Sequence, residues 1–366
     1  MKIIENQWYQ KVSDSVMKRF PILDEKWTYD YGVVFKGMEL VWKITGDHKY
    51  YDYIKQSMDQ FINEKGEIRD YHLEEYNIDH INNGKLLFLL YEQTGEEKYK
   101  KAIELLISQL KTHPRTKEGG FWHKKIYPDQ MWLDGIYMGS PFYAEYGKKF
   151  NHPKVFDDVA KQVILCANHT KDPKTGLHYH AWDEKHEEFW CNKETGCSKN
   201  FWGRAMGWFV AAIVDILDYM PEDHKDHPEI IEVFQDCIEA LLRVRDPESG
   251  VWYQVLDQGH RPGNYLEASC SCMFLYAITK GIKKGYISEE KIETAKDIYK
   301  GIITQFIEVR EDGLVNLNKT CQVAGLGNKE KRDGTFVYYI SEPIICNDLK
   351  GIGAFIQASA ETETLS

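Results

Sequence analysis

Six stretches of the chain are apolar nearly all round a helical turn, and each has a neighbouring stretch that is apolar along one stripe only. The first kind falls at roughly 30–44, 79–93, 131–146, 203–219, 267–283 and 348–360. "GWFVAAIVDILDYM" and "GKLLFLLYEQ" show it best, and a helix without a polar face predicts an inner layer. The striped kind falls at roughly 48–63, 96–112, 152–169, 228–243 and 289–307, each with a charged face suited to an outer layer. The N-terminal "NQWYQKVSDSVMKRF" supplies a sixth outer helix, which would pack on the last inner helix and close a ring.

The turns between paired helices repeat as well. "KITGDHKYYDYIKQS" and "EQTGEEKYKKAIELL" each end one helix at Thr-Gly and start the next with an acidic stretch. Glycine suits the position just past a helix end, and acidic groups suit a helix N-terminus. Between pairs lie "EKGEIRDY", "KEGGFWHK", "KTGLHYHAW", "ESGVWYQV" and "EDGLVNL", each a glycine turn followed by apolar or aromatic residues. Such a period predicts a solenoid or a closed array. The sixth outer helix favours closure: an all-α (α/α)6 toroid, with residues 1–366 as one domain. An open helical solenoid is the alternative.

Composition narrows the partners. Hydrophobic residues make up 43% of 366, enough for a sizeable core. A net charge of −11 argues against a nucleic-acid or anionic-membrane surface, yet leaves room for an acidic small ligand held by a local cation. No apolar run approaches the length of a membrane span. "MKIIENQWYQKVSDSV" has no apolar signal core, which predicts a cytoplasmic protein whose eight cysteines are reduced. Cys191 and Cys197, and Cys270 and Cys272, lack the matching partners of a zinc site, so no metal is predicted.

In a toroid the starts of the inner helices converge on one rim. Asp30, Asp79, Asp134, Arg204, Glu267 and Asp348 stand at those starts, with Trp27, Tyr29, Tyr76, His123, Trp132, His180 and Trp202 just upstream. A concave aromatic rim with polar groups is how sugars are held, rings stacking on C–H faces and hydroxyls taking hydrogen bonds. Asp30, Asp79 and Asp348 read equally well as helix caps. Asp134 of "QMWLDGIYMGSPF" is different, because Met131 and Trp132 before it already read as helix. A lone carboxyl among apolar side chains is one that holds a proton as readily as it releases it, as a general acid and base must. Asp79 opens the preceding inner helix and is its natural partner. Arg204 opens the following one, where a guanidinium could clamp a substrate carboxylate.

"HKKIYPDQMWLDGIYMGSPFYAEY", "LHYHAWDE", "NFWGRAMGW" and "YNIDHINNGKLLFLLY" resemble glycoside hydrolase family 105, the unsaturated rhamnogalacturonyl hydrolases, and the resemblance spans nearly the whole chain. It implies a substrate bearing a 4,5-unsaturated uronic acid at its non-reducing end, as a disaccharide or short oligosaccharide. The C4=C5 enol ether is hydrated, and the product opens and sheds its aglycone. By the same resemblance Asp134 is the general acid and base and Asp79 the assisting carboxylate. His180 contacts hydroxyls or water, and Arg204 and Trp208 hold the uronate. His123, Lys124 and Trp132 line the pocket, and Tyr29 and Tyr31 of "WTYDYG" touch the sugar. The family uses no metal or organic cofactor, and such enzymes commonly trim imported disaccharides.

Three other readings stay open at this level. One is an unsaturated glucuronyl hydrolase acting on glycosaminoglycan or ulvan-type fragments. Another is a sugar 2-epimerase on the same toroid, with His123 and His180 as acid and base. The third is a non-catalytic carbohydrate-binding protein. The Gly-rich stretch 320–342, with Tyr338 and Tyr339, has no helical period and is long enough to form a lid.

Overall fold

A computed structural model describes residues 7–327 and 331–365. In chain order the helices are α1 (Trp8–Arg19), α2 (Tyr29–Thr45), α3 (His48–Asp59), α4 (Lys85–Thr94), α5 (Glu97–Thr112), α6 (Leu133–Lys149), α7 (Val155–Thr170), α8 (Gly203–Ile216), α9 (His227–Arg243), α10 (Ala268–Lys283), α11 (Ile292–Phe306), α12 (Phe336–Ser341) and α13 (Leu349–Glu363). Helices α2, α4, α6, α8, α10 and α13 pack side by side, and α13 returns to α2. Each is backed by an outer helix: α3, α5, α7, α9, α11 and, on α13, α1. This is the (α/α)6 toroid that the pattern predicts, with the N-terminal helix closing it against the last inner one.

The local chemistry explains the joints. Gly46 and Gly95 end α2 and α4 at φ of 69° and 70°, left-handed values that glycine adopts without cost. Asp47 then caps α3, accepting from the Lys49 amide at 3.1 Å. Ring closure also depends on glycine, since a Cβ on Gly353 would stand 2.5 Å from the Val33 carbonyl carbon of α2. The inner helices α6, α8, α10 and α13 bury most of their residues, α8 all of them, which is why their sequences lack a polar face.

Two inner helices start differently from the expectation. The one read at 79–93 enters through a 3-10 turn, Ile78–Gly84, before α4. The one read at 131–146 begins later, because Met131 and Trp132 belong to strand β1 (Gln130–Trp132). That strand pairs antiparallel with β2 (Ala181–Asp183), Trp132 opposite Ala181. A short apolar run reads alike as buried strand or buried helix, so periodicity could not separate them. Asp134 therefore sits in the first turn of α6.

After α11, hairpin β3 (Ile307–Val309) and β4 (Val315–Leu317) is followed by β5 (Thr320–Cys321), α12 and β6 (Ile344–Ile345), which pairs with β5. The stretch 320–342 thus holds a strand and a short helix among its described residues. None of the described helices is long and apolar enough to cross a membrane.

Toward the C-terminal ends of the inner helices, away from the rim, lies a cavity of about 110 Å³ among charged side chains. Lys280 pairs with Asp215 and Asp218 there, each at 2.6 Å, and Lys36 with Glu39 at 2.6 Å. Lys85, also buried, donates to the Tyr137 carbonyl at 3.1 Å and lies 3.7 Å over its ring, with no carboxylate partner among the described residues. Burial above all, with Lys36 adding to it against Asp215, pushes its pKa down to about 7. The unfolded chain then binds more protons than the folded one between about pH 7 and 10.5, so this group makes stability rise with pH across that window. Lys85→Met should stabilise the fold by about 2 kcal/mol at pH 6, after allowing for the lost Tyr137 contacts, and by almost nothing at pH 10.5. Urea unfolding of both proteins at the two pH values measures this.

Candidate active site

Four loops meet at the rim, stitched by backbone hydrogen bonds. The Ile78 amide donates to the His123 carbonyl at 3.3 Å, the His123 amide to Gln130 at 2.8 Å, and the Leu133 amide to His180 at 3.0 Å. Residues 77 and 124 form a further bridge. These links gather Asp79, His123, Lys124, Trp132, Asp134 and His180 into one place, although the sequence spreads them over four segments.

Asp134 and His180 face each other. The Oδ2 of Asp134 is 3.2 Å from Nε2 of His180, close enough for an ion contact but out of line for a hydrogen bond. Both atoms are buried and have no hydrogen-bond partner among the described residues. Such pairs are rare in a settled core and mark a place where a ligand or water completes the bonding. On its other side, Nδ1 of His180 lies 2.8 Å from the Tyr339 hydroxyl of α12.

Asp79 is held differently. Its Oδ2 meets Lys124 Nζ at 2.6 Å, and its Oδ1 is 3.7 Å from His123 Nε2. Burial favours the neutral acid, but Lys124 and then His123 outweigh it and hold the Asp79 pKa below the usual carboxylate range. The same pairing raises Lys124 against its own burial. Burial dominates at His123, lowering its pKa to about 4 despite Asp79, so its ring is neutral near pH 7. The two carboxylates thus differ: one in a closed ion pair, the other beside an imidazole with an open bonding position.

Aromatic rings build the wall. Trp132 stacks with His123, at 4.3 Å between centroids, and with Tyr127, at 4.9 Å, both nearly parallel to it and themselves 6.3 Å apart, and it meets His180 edge-on at 5.2 Å. Gly135 leaves room for this stack, since a Cβ there would come 3.3 Å from His123 Nδ1. Leu326, from the 320–342 stretch, packs with Trp132 and Trp190 on the outer side of the wall. Trp208 of α8 is buried against Tyr137 at 4.5 Å and Tyr29 at 6.2 Å. Burial, with Asp30 and Asp79 nearby, raises the Tyr29 hydroxyl pKa well above its ordinary value.

Two residues depart from the expectation. Tyr31 packs against Phe35 of its own helix α2 and against Phe61 just past the outer helix α3, with ring centroids 6.2 and 6.3 Å away. Two residues along a helix turn the side chain by about 200°, so Tyr29 and Tyr31 cannot both face the rim. Arg204 is not a free clamp. It is 1% exposed, its Nε donates to Ser269 at 2.8 Å, and its terminal nitrogens reach the Cys321 and Gln322 carbonyls and the Glu267 carboxylate. It ties the start of α10 to β5. The acids at other helix starts have local work too: Asp348 caps α13 at 3.0 Å and shares Lys350 with Asp30. Tyr127 and Tyr339, which complete the wall and the His180 contact, do not stand at inner-helix starts, where the sequence reading looked.

The arrangement sets an unpartnered carboxylate oxygen beside an unpartnered imidazole nitrogen, next to a carboxylate–lysine pair and an aromatic wall. Comparison with known proteins gives the family. The family model described as Glycosyl Hydrolase Family 88 matches residues 4–366. A solved family 105 glycoside hydrolase of C. acetobutylicum ATCC 824 is 54% identical, covering 98% of this chain and 100% of that one, with a TM-score of 0.97. The unsaturated rhamnogalacturonyl hydrolase YesR of Bacillus subtilis strain 168 is 29% identical over 320 residues, 86% of this chain and 85% of the relative. The unsaturated glucuronyl hydrolase of Bacillus sp. GL1 shares the fold, at 14% identity and a TM-score of 0.68 over 96% of this chain and 94% of that one. The chain belongs to the family 88 and family 105 glycoside hydrolases, the unsaturated uronyl hydrolase group.

Proposed function

We propose that this hydrolase releases the 4,5-unsaturated uronic acid from lyase-generated oligosaccharides, with unsaturated galacturonyl-rhamnose as its substrate, by hydrating C4=C5. The observation that carries the reading is the unpartnered Asp134 oxygen 3.2 Å from the unpartnered His180 nitrogen, beside a second carboxylate locked to Lys124. Asp134 gives its proton to C4, which leaves positive charge at C5 shared with the ring oxygen. Water adds to C5, and Asp134 takes up the proton that water loses. The hemiketal at C5 opens to a ketone, the ring oxygen remains on C1 as a hydroxyl, and C1 collapses to an aldehyde as the aglycone alcohol departs. Protons and one water balance the atoms.

His180 positions the water or a hydroxyl. Asp79, ionised and paired, accepts hydrogen bonds from sugar hydroxyls, and Lys124 is the cation nearest to serve the uronate. Trp132, with His123 stacked on it, lines the pocket, and Trp208 with Tyr29 forms a second aromatic group for the sugar. Rhamnose as the following sugar rests on the rhamnogalacturonyl relative, and the cytoplasm as the place of action on the family's use of imported disaccharides. A 2-epimerase fits less well. His123 is neutral and enclosed in a ring stack, so it is a poor acid, and His180 faces a carboxylate. The test is ultraviolet absorbance of the C=C–carboxylate group. Oligosaccharides from a rhamnogalacturonan lyase should lose it in step with aglycone release, at a higher kcat/KM than glycosaminoglycan or ulvan fragments. An unchanged chromophore on all of them would remove the hydrolase reading.

A further inference from the structure

We propose that Tyr339 is a positioning residue that fixes the tautomer of His180, placing the imidazole proton on Nε2, the nitrogen 3.2 Å from Asp134. This deepens the hydrolase reading above and rests on it. The Tyr339 hydroxyl has one polar neighbour among the described residues, Nδ1 of His180 at 2.8 Å, and both side chains are fully buried. Burial, with Tyr338 and Asp134 nearby, raises the hydroxyl pKa well above its ordinary value, so it keeps its proton. A buried hydroxyl with a single acceptor-capable neighbour donates to it. Nδ1 therefore accepts, and the remaining ring proton belongs on Nε2.

The surroundings hold Tyr339 in this role. Thr335 caps α12, accepting from the Tyr338 amide at 3.2 Å, and Asn200 anchors the turn before it through the Gly334 carbonyl at 2.7 Å. Gln254 donates to the Tyr339 carbonyl at 3.1 Å, and Trp202 stacks on its ring at 6.0 Å. The phenol is locked, so the imidazole it holds is locked too. With Nε2 protonated, His180 presents a donor beside the Asp134 carboxylate, to the incoming water or a sugar hydroxyl. The opposite tautomer would present a lone pair to the Asp134 carboxylate and repel it. One residue from the 320–342 stretch thereby sets the bonding of a group more than 150 positions earlier in the chain.

The first experiment needs no variant. Nitrogen-15 NMR of histidine-labelled protein, with His180 assigned through His180→Gln, should show Nδ1 bare and Nε2 protonated near pH 7. A proton on Nδ1 would overturn the proposal. The second is Tyr339→Phe, which removes one oxygen and keeps the ring. It should lower kcat roughly 10- to 100-fold with KM within about twofold, and should mix the His180 tautomers. A merely structural tyrosine would change thermal stability and leave the tautomer signal alone. Unchanged kcat and tautomer in Tyr339→Phe would also overturn it. If the wild-type protein leaves every unsaturated sugar intact, the hydrolase reading fails, and the tautomer measurement still decides the role of Tyr339.

Discussion

Asp134→Asn should lower kcat by at least about 10³-fold while substrate still binds. Asparagine keeps the shape and the place in the first turn of α6 but has no proton to give to C4 and no basic oxygen to receive one from water. The rim keeps its rings and the Asp79–Lys124 pair at 2.6 Å, so the sugar has the same wall and the same cation to meet. Calorimetry with an unsaturated disaccharide should give a Kd within a few-fold of the wild-type KM, and the variant should melt close to the wild-type temperature. Activity near the wild-type level would assign the proton transfer to another group. Lost binding together with lost activity would make Asp134 a ligand for hydroxyls rather than the acid.

Arg204→Met should destabilise the fold by about 3–5 kcal/mol, because it leaves the Glu267 carboxylate buried beside an apolar side chain. Glu267 is 0% exposed and also receives the amides of Cys270 and Cys321, at 2.7 and 2.9 Å. Those amides keep it bonded but cannot replace the cation. The Cys321 and Gln322 carbonyls lose a donor in the same step, which loosens β5 and with it the stretch that carries Tyr339. Thermal and urea unfolding separate this from the substrate-clamp role expected from sequence. A clamp predicts a stable variant with a raised KM; a structural tie predicts a large fall in stability, with kcat lost through His180.

The ring was legible because it is written as periodicity. An inner helix must be apolar all round and an outer one along a stripe, and each residue shows this locally. Asp134 and Asp79 were visible as candidates for the same reason: a carboxyl at an inner-helix start needs only its neighbours in sequence to stand out. Contacts between distant segments were not visible. Nothing near His180 in sequence announces Tyr339, which meets it only through the contact between α12 and the His180 loop. Nothing near Arg204 announces that Ser269, Cys321 and Glu267 take up its donors. Trp132 reads as helix in the sequence but lies in β1, because its apolar neighbours suit a strand equally well. Tyr31 shared a motif with Tyr29 and the helical turn then pointed it elsewhere.

The central claim is that the double bond, not C1, is where reaction begins. Proton NMR of the reaction in D2O follows it directly. The account predicts that the vinyl signal at C4 disappears no later than the aglycone is released, with one deuterium delivered to a single face of C4. Free aglycone accumulating while the C4 vinyl proton persists would contradict it.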